Sequence, residues 1–207
     1  MSEIFLSDNA FAKAIPVLKR LETEANFPQN VIFARSNLMK SYYLTQDYSN
    51  TVTYGEKVLA DPKIDTQVKT DAHLFIARAA VKTDNMARAK GAYAEVLKTA
   101  TNKTAAEATY YKAYFENQEG RHEQVKTTVT GLVQQLGGYK LYVAKGLVLM
   151  ADSYNKLGDA YQATYLLEGV QKNFTQFPEV VEEATTLLNA IKAQQAKTNA
   201  SVETEEN

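Results

Sequence analysis

Residues 147–174 read LVLMADSYNKLGDAYQATYLLEGVQKNF, and this stretch decides the fold. It holds two helical patterns with a polar break, Leu157-Gly158-Asp159, between them. After the break, Ala163, Leu167 and Val170 are spaced by four and three residues, which keeps them on one helical face. Before it, Ala151 and Tyr154 stand 12 and 9 residues upstream of Ala163 in a second helical pattern. Two helices joined by so short a turn form an antiparallel αα-hairpin.

The same arrangement recurs along the chain. Ala14, Thr51, Ala89, Val125 and Ala163 are equivalent, at intervals of 37, 38, 36 and 38 residues. Four residues later come Leu18, Gly55, Tyr93, Val129 and Leu167; seven later come Leu21, Val58, Val96, Leu132 and Val170. Upstream of all but the first lies a second pattern, with Met39, Ala77, Ala113 and Ala151 at one position and Tyr42, Ala80, Glu116 and Tyr154 at another. The connecting turns are Thr45-Gln46-Asp47, Thr83-Asp84-Asn85, Gln118-Glu119-Gly120 and Leu157-Gly158-Asp159. One hairpin cannot bury its apolar face alone, whereas stacked hairpins can.

This predicts helices at 9–23, 30–45, 48–60, 66–83, 86–99, 104–118, 121–135, 141–157, 160–174 and 178–197. The repeats are then about 30–60, 66–99, 104–135 and 141–174, inside a solenoid spanning 1–197. Pro62 and Pro178 fall at boundaries, where a missing first-turn amide costs little. Pro16 falls inside the first helix and removes a hydrogen bond there, which implies a kink or a later start. Helix 9–23 reads as the second member of a pair without its partner, so the chain is expected to be a piece of a longer one. Helix 178–197 is expected to cover the last repeat, and 198–207 to be a disordered acidic tail.

Composition agrees with an all-helical chain. Nine glycines and four prolines in 207 residues are few turn formers, and Ala, Leu, Lys, Glu and Gln favour helix. The net charge of −1 provides no field to concentrate nucleic acid or anionic membrane. No apolar run approaches the roughly 20 residues of a membrane helix. The absence of cysteine removes disulfides, thiolate nucleophiles and zinc–sulfur sites. It leaves the compartment open: periplasm or cell envelope if the parent chain carries a signal peptide, cytoplasm otherwise.

Segment 147–174 resembles a tetratricopeptide (TPR) repeat. That family's pattern has a closely packed small residue in the first helix, here Ala151, an aromatic three residues on, here Tyr154, a turn glycine, here Gly158, and an alanine in the second helix, here Ala163. Segment 73–97 matches with Ala77, Ala80, Ala89 and Tyr93. Two repeats depart. Met39 and Gly55 stand where a small and a large residue are expected, implying reversed size complementarity. Glu116 replaces an aromatic, with Phe115 one residue away. There is no tryptophan, and the period exceeds the family's typical value of about 34. Residues 142–152 followed by Leu157-Gly158-Asp159 are similar to the last repeats of large TPR proteins of the Gram-negative cell envelope. The resemblance implies an all-α, right-handed α-solenoid of helix-turn-helix repeats, whose first helices line a concave groove.

Catalytic chemistry finds little support. His73 and His122 are far apart and read as structural. No HExxH, GxGxxG, P-loop or carboxylate cluster with metal-ligand spacing is present, so no cofactor, metal or enzymatic activity is expected. Glu182 and Glu183 read as charge on a solvated helix face. Tyr42, Tyr93 and Tyr154 fall at core positions. Given the groove that the resemblance implies, helical phase places Lys40, Tyr43, Leu44, Arg78, Lys82, Tyr110, Tyr114, Asp152 and Asn155 on it. Of these, Lys40, Tyr43, Arg78, Tyr110, Tyr114, Asp152 and Asn155 are the protein-binding candidates, since tyrosine and arginine anchor interfaces well. The alternative is that some simply pack between helices. The basic pair and asparagines of carboxylate-clamping TPR domains are not reproduced, so chaperone tails are not expected ligands.

Two functions are therefore expected in contest. One is a non-catalytic interaction scaffold holding a protein or peptide segment in the groove. The other is an architectural spacer or oligomerisation segment of a larger envelope protein, with self-association through the exposed first helix.

Overall fold

The computed structural model describes the backbone of residues 2–205 and the side chains of residues 2–197. Among the described residues there are eleven helices and no strand: α1 Ser2–Ser7, α2 Phe11–Glu24, α3 Pro28–Leu44, α4 Tyr48–Leu59, α5 Thr66–Lys82, α6 Met86–Leu97, α7 Asn102–Gln118, α8 His122–Leu136, α9 Lys140–Lys156, α10 Ala160–Asn173 and α11 Pro178–Glu205. The protein is all-α and built of helical repeats, as its periodicity predicts. It divides into two compact units, Met1–Ala100 and Thr101–Asn207.

Each unit stacks helices in chain order. In unit one every helix packs on the next, and α3 also lies beside α5. In unit two α7, α9 and α11 lie side by side, with α8 and α10 packed between successive members. The first helices of the four hairpins, α3, α5, α7 and α9, are 17 residues each.

The hairpin turns share one backbone device. Gln46, Asp84, Gly120 and Gly158 adopt positive φ, at 62°, 56°, 70° and 89°. The residue after each donates its N–H to a carbonyl five positions back: Asp47 to Tyr42 at 2.8 Å, Asn85 to Ala80 at 2.8 Å, Arg121 to Glu116 at 2.9 Å and Asp159 to Tyr154 at 2.9 Å. This left-handed closure satisfies carbonyls that a helix C-terminus leaves open. Asp47, Asn85 and Asp159 then cap the next helix, accepting from the amides of Asn50, Arg88 and Gln162.

A fifth turn of this kind lies where the sequence leaves a helix unpaired. Asn9 has φ of 55°, and the Ala10 N–H donates to the Phe5 carbonyl at 2.7 Å. The helix before it is α1, which packs on α2 and adds Phe5 and Leu6 to the core formed by Ala14, Leu18, Leu38 and Met39. Helix 9–23 therefore has a neighbour. Six residues are too few to show a period, which is why the sequence does not reveal α1. Helix α2 runs through Pro16 from Phe11 to Glu24. Pro28, at the N-terminal end of α3, starts that helix two residues earlier than expected.

Met39 and Gly55 are both buried, and the size reversal is real. The Met39 sulfur lies 3.4 Å from where a Gly55 Cβ would stand. In the third hairpin Phe115 and Glu116 are both buried, so Phe115 takes the aromatic role without displacing the carboxylate. Tyr42 and Tyr93 are core residues, whereas Tyr154 is half-buried beneath the Lys126 ammonium, 4.7 Å from its ring centroid. The acidic tail expected at 198–207 falls outside the described side chains; the backbone continues α11 to Glu205, and residues 206 and 207 are not described.

Candidate functional site: a groove in unit two

Helix α7 carries tyrosines at 110, 111 and 114 with Phe115, so neighbouring rings meet along one side of the helix. Tyr110 and Tyr111 lie 5.0 Å apart and Tyr114 and Phe115 5.5 Å, both edge to face. Phe115 turns inward. Tyr110 and Tyr114, one helical turn apart, form one wall of an open groove of about 660 Å³.

The groove floor is α9. Val148, Leu149 and Asp152 line it, with Asn117 and Gln118 from the end of α7. Side-chain hydrogen bonds fix α9 against α7. The Tyr142 hydroxyl donates to the buried Glu107 carboxylate at 2.8 Å, and the Asn117 amide donates to Asp152 at 3.0 Å. The far wall is α11. Its Val180, Ala184, Leu188 and Ile191 are buried in the core with α9 and α10 residues. A different face of the same helix, Glu179, Glu182, Glu183, Thr186, Leu187 and Ala190, lines the groove.

The site is aromatic and apolar within and acidic along its edge. Asp152, Glu179, Glu182 and Glu183 give four carboxylates, and no Lys or Arg lines the groove. Burial raises the Tyr110 hydroxyl far above the ordinary phenol range, helped by Tyr111, Glu183 and Tyr114. Glu183 is exposed overall, yet desolvation against the groove raises its carboxyl, against the pull of Lys145. The Lys145 ammonium lies 5.6 Å from the Tyr110 ring centroid, a cation–π contact beside this wall.

The seven sequence candidates fall into the two units. Tyr110, Tyr114 and Asp152 meet in the groove. Asn155, further along α9, is half-buried and does not line it. Lys40, Tyr43 and Arg78 belong to unit one. There Lys40 pairs with Asp71 at 3.4 Å, Tyr43 packs edge to face on Phe75 at 5.3 Å, and the Arg78 guanidinium lies 5.7 Å from the same Phe75 ring. These three make contacts between α3 and α5 or along α5 itself. The sequence reading missed the α11 wall because Glu182 and Glu183 look like ordinary solvated charge. The signal it could have used is the spacing of Leu187 with residues 179, 183 and 190 on one helical face.

Other surfaces are simpler. On α10, Tyr161 and Tyr165 are 75% and 66% exposed one helical turn apart, with exposed Leu157 just before them in the turn. Burial lowers the His73 imidazole below its ordinary range, against the pull of Glu95. Among the described residues no group of three or more His, Asp or Glu could hold a metal ion. No described helix is long and apolar enough to cross a membrane. Compared with known proteins, the sequence matches no protein-family model and no curated protein.

Proposed function

We propose that the chain is a non-catalytic TPR-like interaction scaffold that binds a protein or peptide segment in the unit-two groove. The observation that carries this reading is the convergence of Tyr110, Tyr114 and Asp152 with an independent wall from α11 around one open groove. Large rings with hydrogen-bonding tips, set over an apolar floor, suit recognition of an extended or helical segment. The five equivalent turns support the TPR resemblance, and the envelope likeness of residues 142–159 belongs to the same reading.

The spacer reading draws on a specific observation too. Lys40, Tyr43 and Arg78 are engaged within unit one, which is how an architectural segment uses such residues.

Selection of a random dodecapeptide display library on the whole chain tests the two. Enriched peptides should lose affinity roughly tenfold or more when Thr186→Trp fills the groove. Thr186 is exposed, so the fold should be unaffected. Peptides indifferent to Thr186→Trp, or no enrichment at all, would leave the spacer reading.

A further inference from the structure

We infer that the unit-two groove selects a cationic segment, one presenting Lys or Arg beside an apolar or aromatic anchor. This rests on the peptide-binding reading above and adds the chemistry of the partner.

The first observation is charge. Asp152, Glu179, Glu182 and Glu183 line the groove, and no basic residue lines it with them. Asp152 is engaged by the Asn117 amide, which supplies a hydrogen bond but no positive charge. No described cation forms an ion pair with Glu179, Glu182 or Glu183. Like charges gathered over a low-dielectric floor repel one another and attract a counter-charge.

The second observation is independent of those carboxylates. Tyr110 and Tyr114 present ring surface to the same space, and tyrosine faces attract ammonium and guanidinium groups. Lys145 already uses one of these rings. Its ammonium also pulls on the Glu183 carboxyl without closing an ion pair, so the chain already sets one cation over this ring and near this acid. A ligand lysine or arginine over Tyr114 and beside Glu182 would repeat that arrangement. Leu149 on the floor and Leu187 and Ala190 on the α11 wall leave apolar surface for the neighbouring anchor.

Other occupants fit less well. Nucleic acid and anionic lipid carry the wrong charge for this groove. Residues 198–207 contain three glutamates and no Lys or Arg, so this segment brings no counter-charge.

The test uses the whole chain and the peptides selected above. The expected result is enrichment of peptides with net positive charge that bind more weakly as salt rises from about 0.05 to 0.5 M. Charge reversal by Glu182→Lys with Glu183→Lys, both at exposed positions, should weaken them roughly tenfold or more. The same double variant should bind a peptide whose lysines are replaced by glutamate better than the original chain does. Neutral or acidic peptides that are still blocked by Thr186→Trp would overturn the cationic inference and leave peptide binding standing. Peptides insensitive to Thr186→Trp would sink both. A change of mass in light scattering on the double reversal would instead place a second copy in the groove, and would also overturn the inference.

Discussion

Ile76 of α5 occupies the space that a Cβ on Gly55 of α4 would need: its Cγ1 lies 2.7 Å from that position and its Cδ1 2.9 Å. Helices α4 and α5 approach closely there because Gly55 carries no side chain. Gly55→Ala should therefore destabilise by about 1–3 kcal/mol through overpacking. Gly158→Ala should cost about 1–2 kcal/mol for a different reason, since nothing lies within 4 Å of its Cβ position but its φ is +89°. Gly169→Ala, inside α10 with open space around it, should stabilise by up to about 1 kcal/mol. Thermal melts of the three variants check the set; equal shifts would contradict it.

Ala151 is fully buried against Leu167 and its neighbours, whereas Ala196 is exposed on α11. Ala151→Leu should cost about 1–3 kcal/mol and Ala196→Leu almost nothing, measured by urea unfolding.

Glu116 is 3% exposed and accepts from the Thr128 hydroxyl at 2.7 Å, with Lys112 and Arg121 near 4 Å from its other oxygen. Thr128→Val keeps the shape and removes the donor. It should cost about 1–3 kcal/mol, because a buried carboxylate loses its hydrogen bond. Thr127→Val, at an exposed neighbouring position, is the control. Similar losses in both would show that Glu116 does not depend on Thr128.

At low pH the sensitive group is Glu22. Burial would raise its carboxyl, but hydrogen bonds from Arg35 at 3.0 Å and Lys57 at 3.2 Å prevail and hold it below the ordinary 4.5. A lowered folded pKa contributes stability above the unfolded value and loses it as pH falls through the folded one. Glu22→Gln should thus destabilise at pH 7, by about 1–2 kcal/mol. The gap to the original chain should close progressively below pH 4.5. A gap unchanged down to pH 2 would rule out the charged contacts as its cause.

At high pH one sensitive group, besides Tyr110 in the groove, is Tyr54. It stacks on Tyr42 at 5.4 Å, and burial, then Glu22 and Tyr42, push its hydroxyl from 10.0 up to about 12. A raised folded pKa gives stability that is full below the unfolded value and is lost as pH rises through the folded one. Between pH 10 and 12 the original chain should lose roughly 1–3 kcal/mol relative to Tyr54→Phe. Parallel pH profiles for the two proteins would contradict this.

Periodicity was enough to place ten helices, because one buried face per helix repeats along the chain and each turn interrupts it. The same phase brought Tyr110, Tyr114 and Asp152 to one groove. Phase alone could not separate a groove residue from one packed across it: Tyr43 and Arg78 have the right phase and are taken up by Phe75. Nor did phase show that α11 buries Val180 and Ala184 while turning Glu182 and Glu183 to the groove, because isolated glutamates look the same on any exposed face. The division after Ala100 has no compositional mark, since its linker is as short as the others.

The left-handed residues of the five turns sit five positions before Ala14, Thr51, Ala89, Val125 and Ala163 every time. Helix boundaries leave three residues in each of these turns, but between three and six in the links from one hairpin to the next. The variation in repeat length is therefore confined to those links and to the second helices. A residue inserted between Gln46 and Thr51 would swing the following helix by about 100° and carry its buried face into solvent. One inserted among residues 60–65 would only lengthen a loop. The chain thus has built-in points for splicing: foreign segments or affinity tags belong at 60–65, and exchange of whole hairpins between relatives should be cut there, never at the turns.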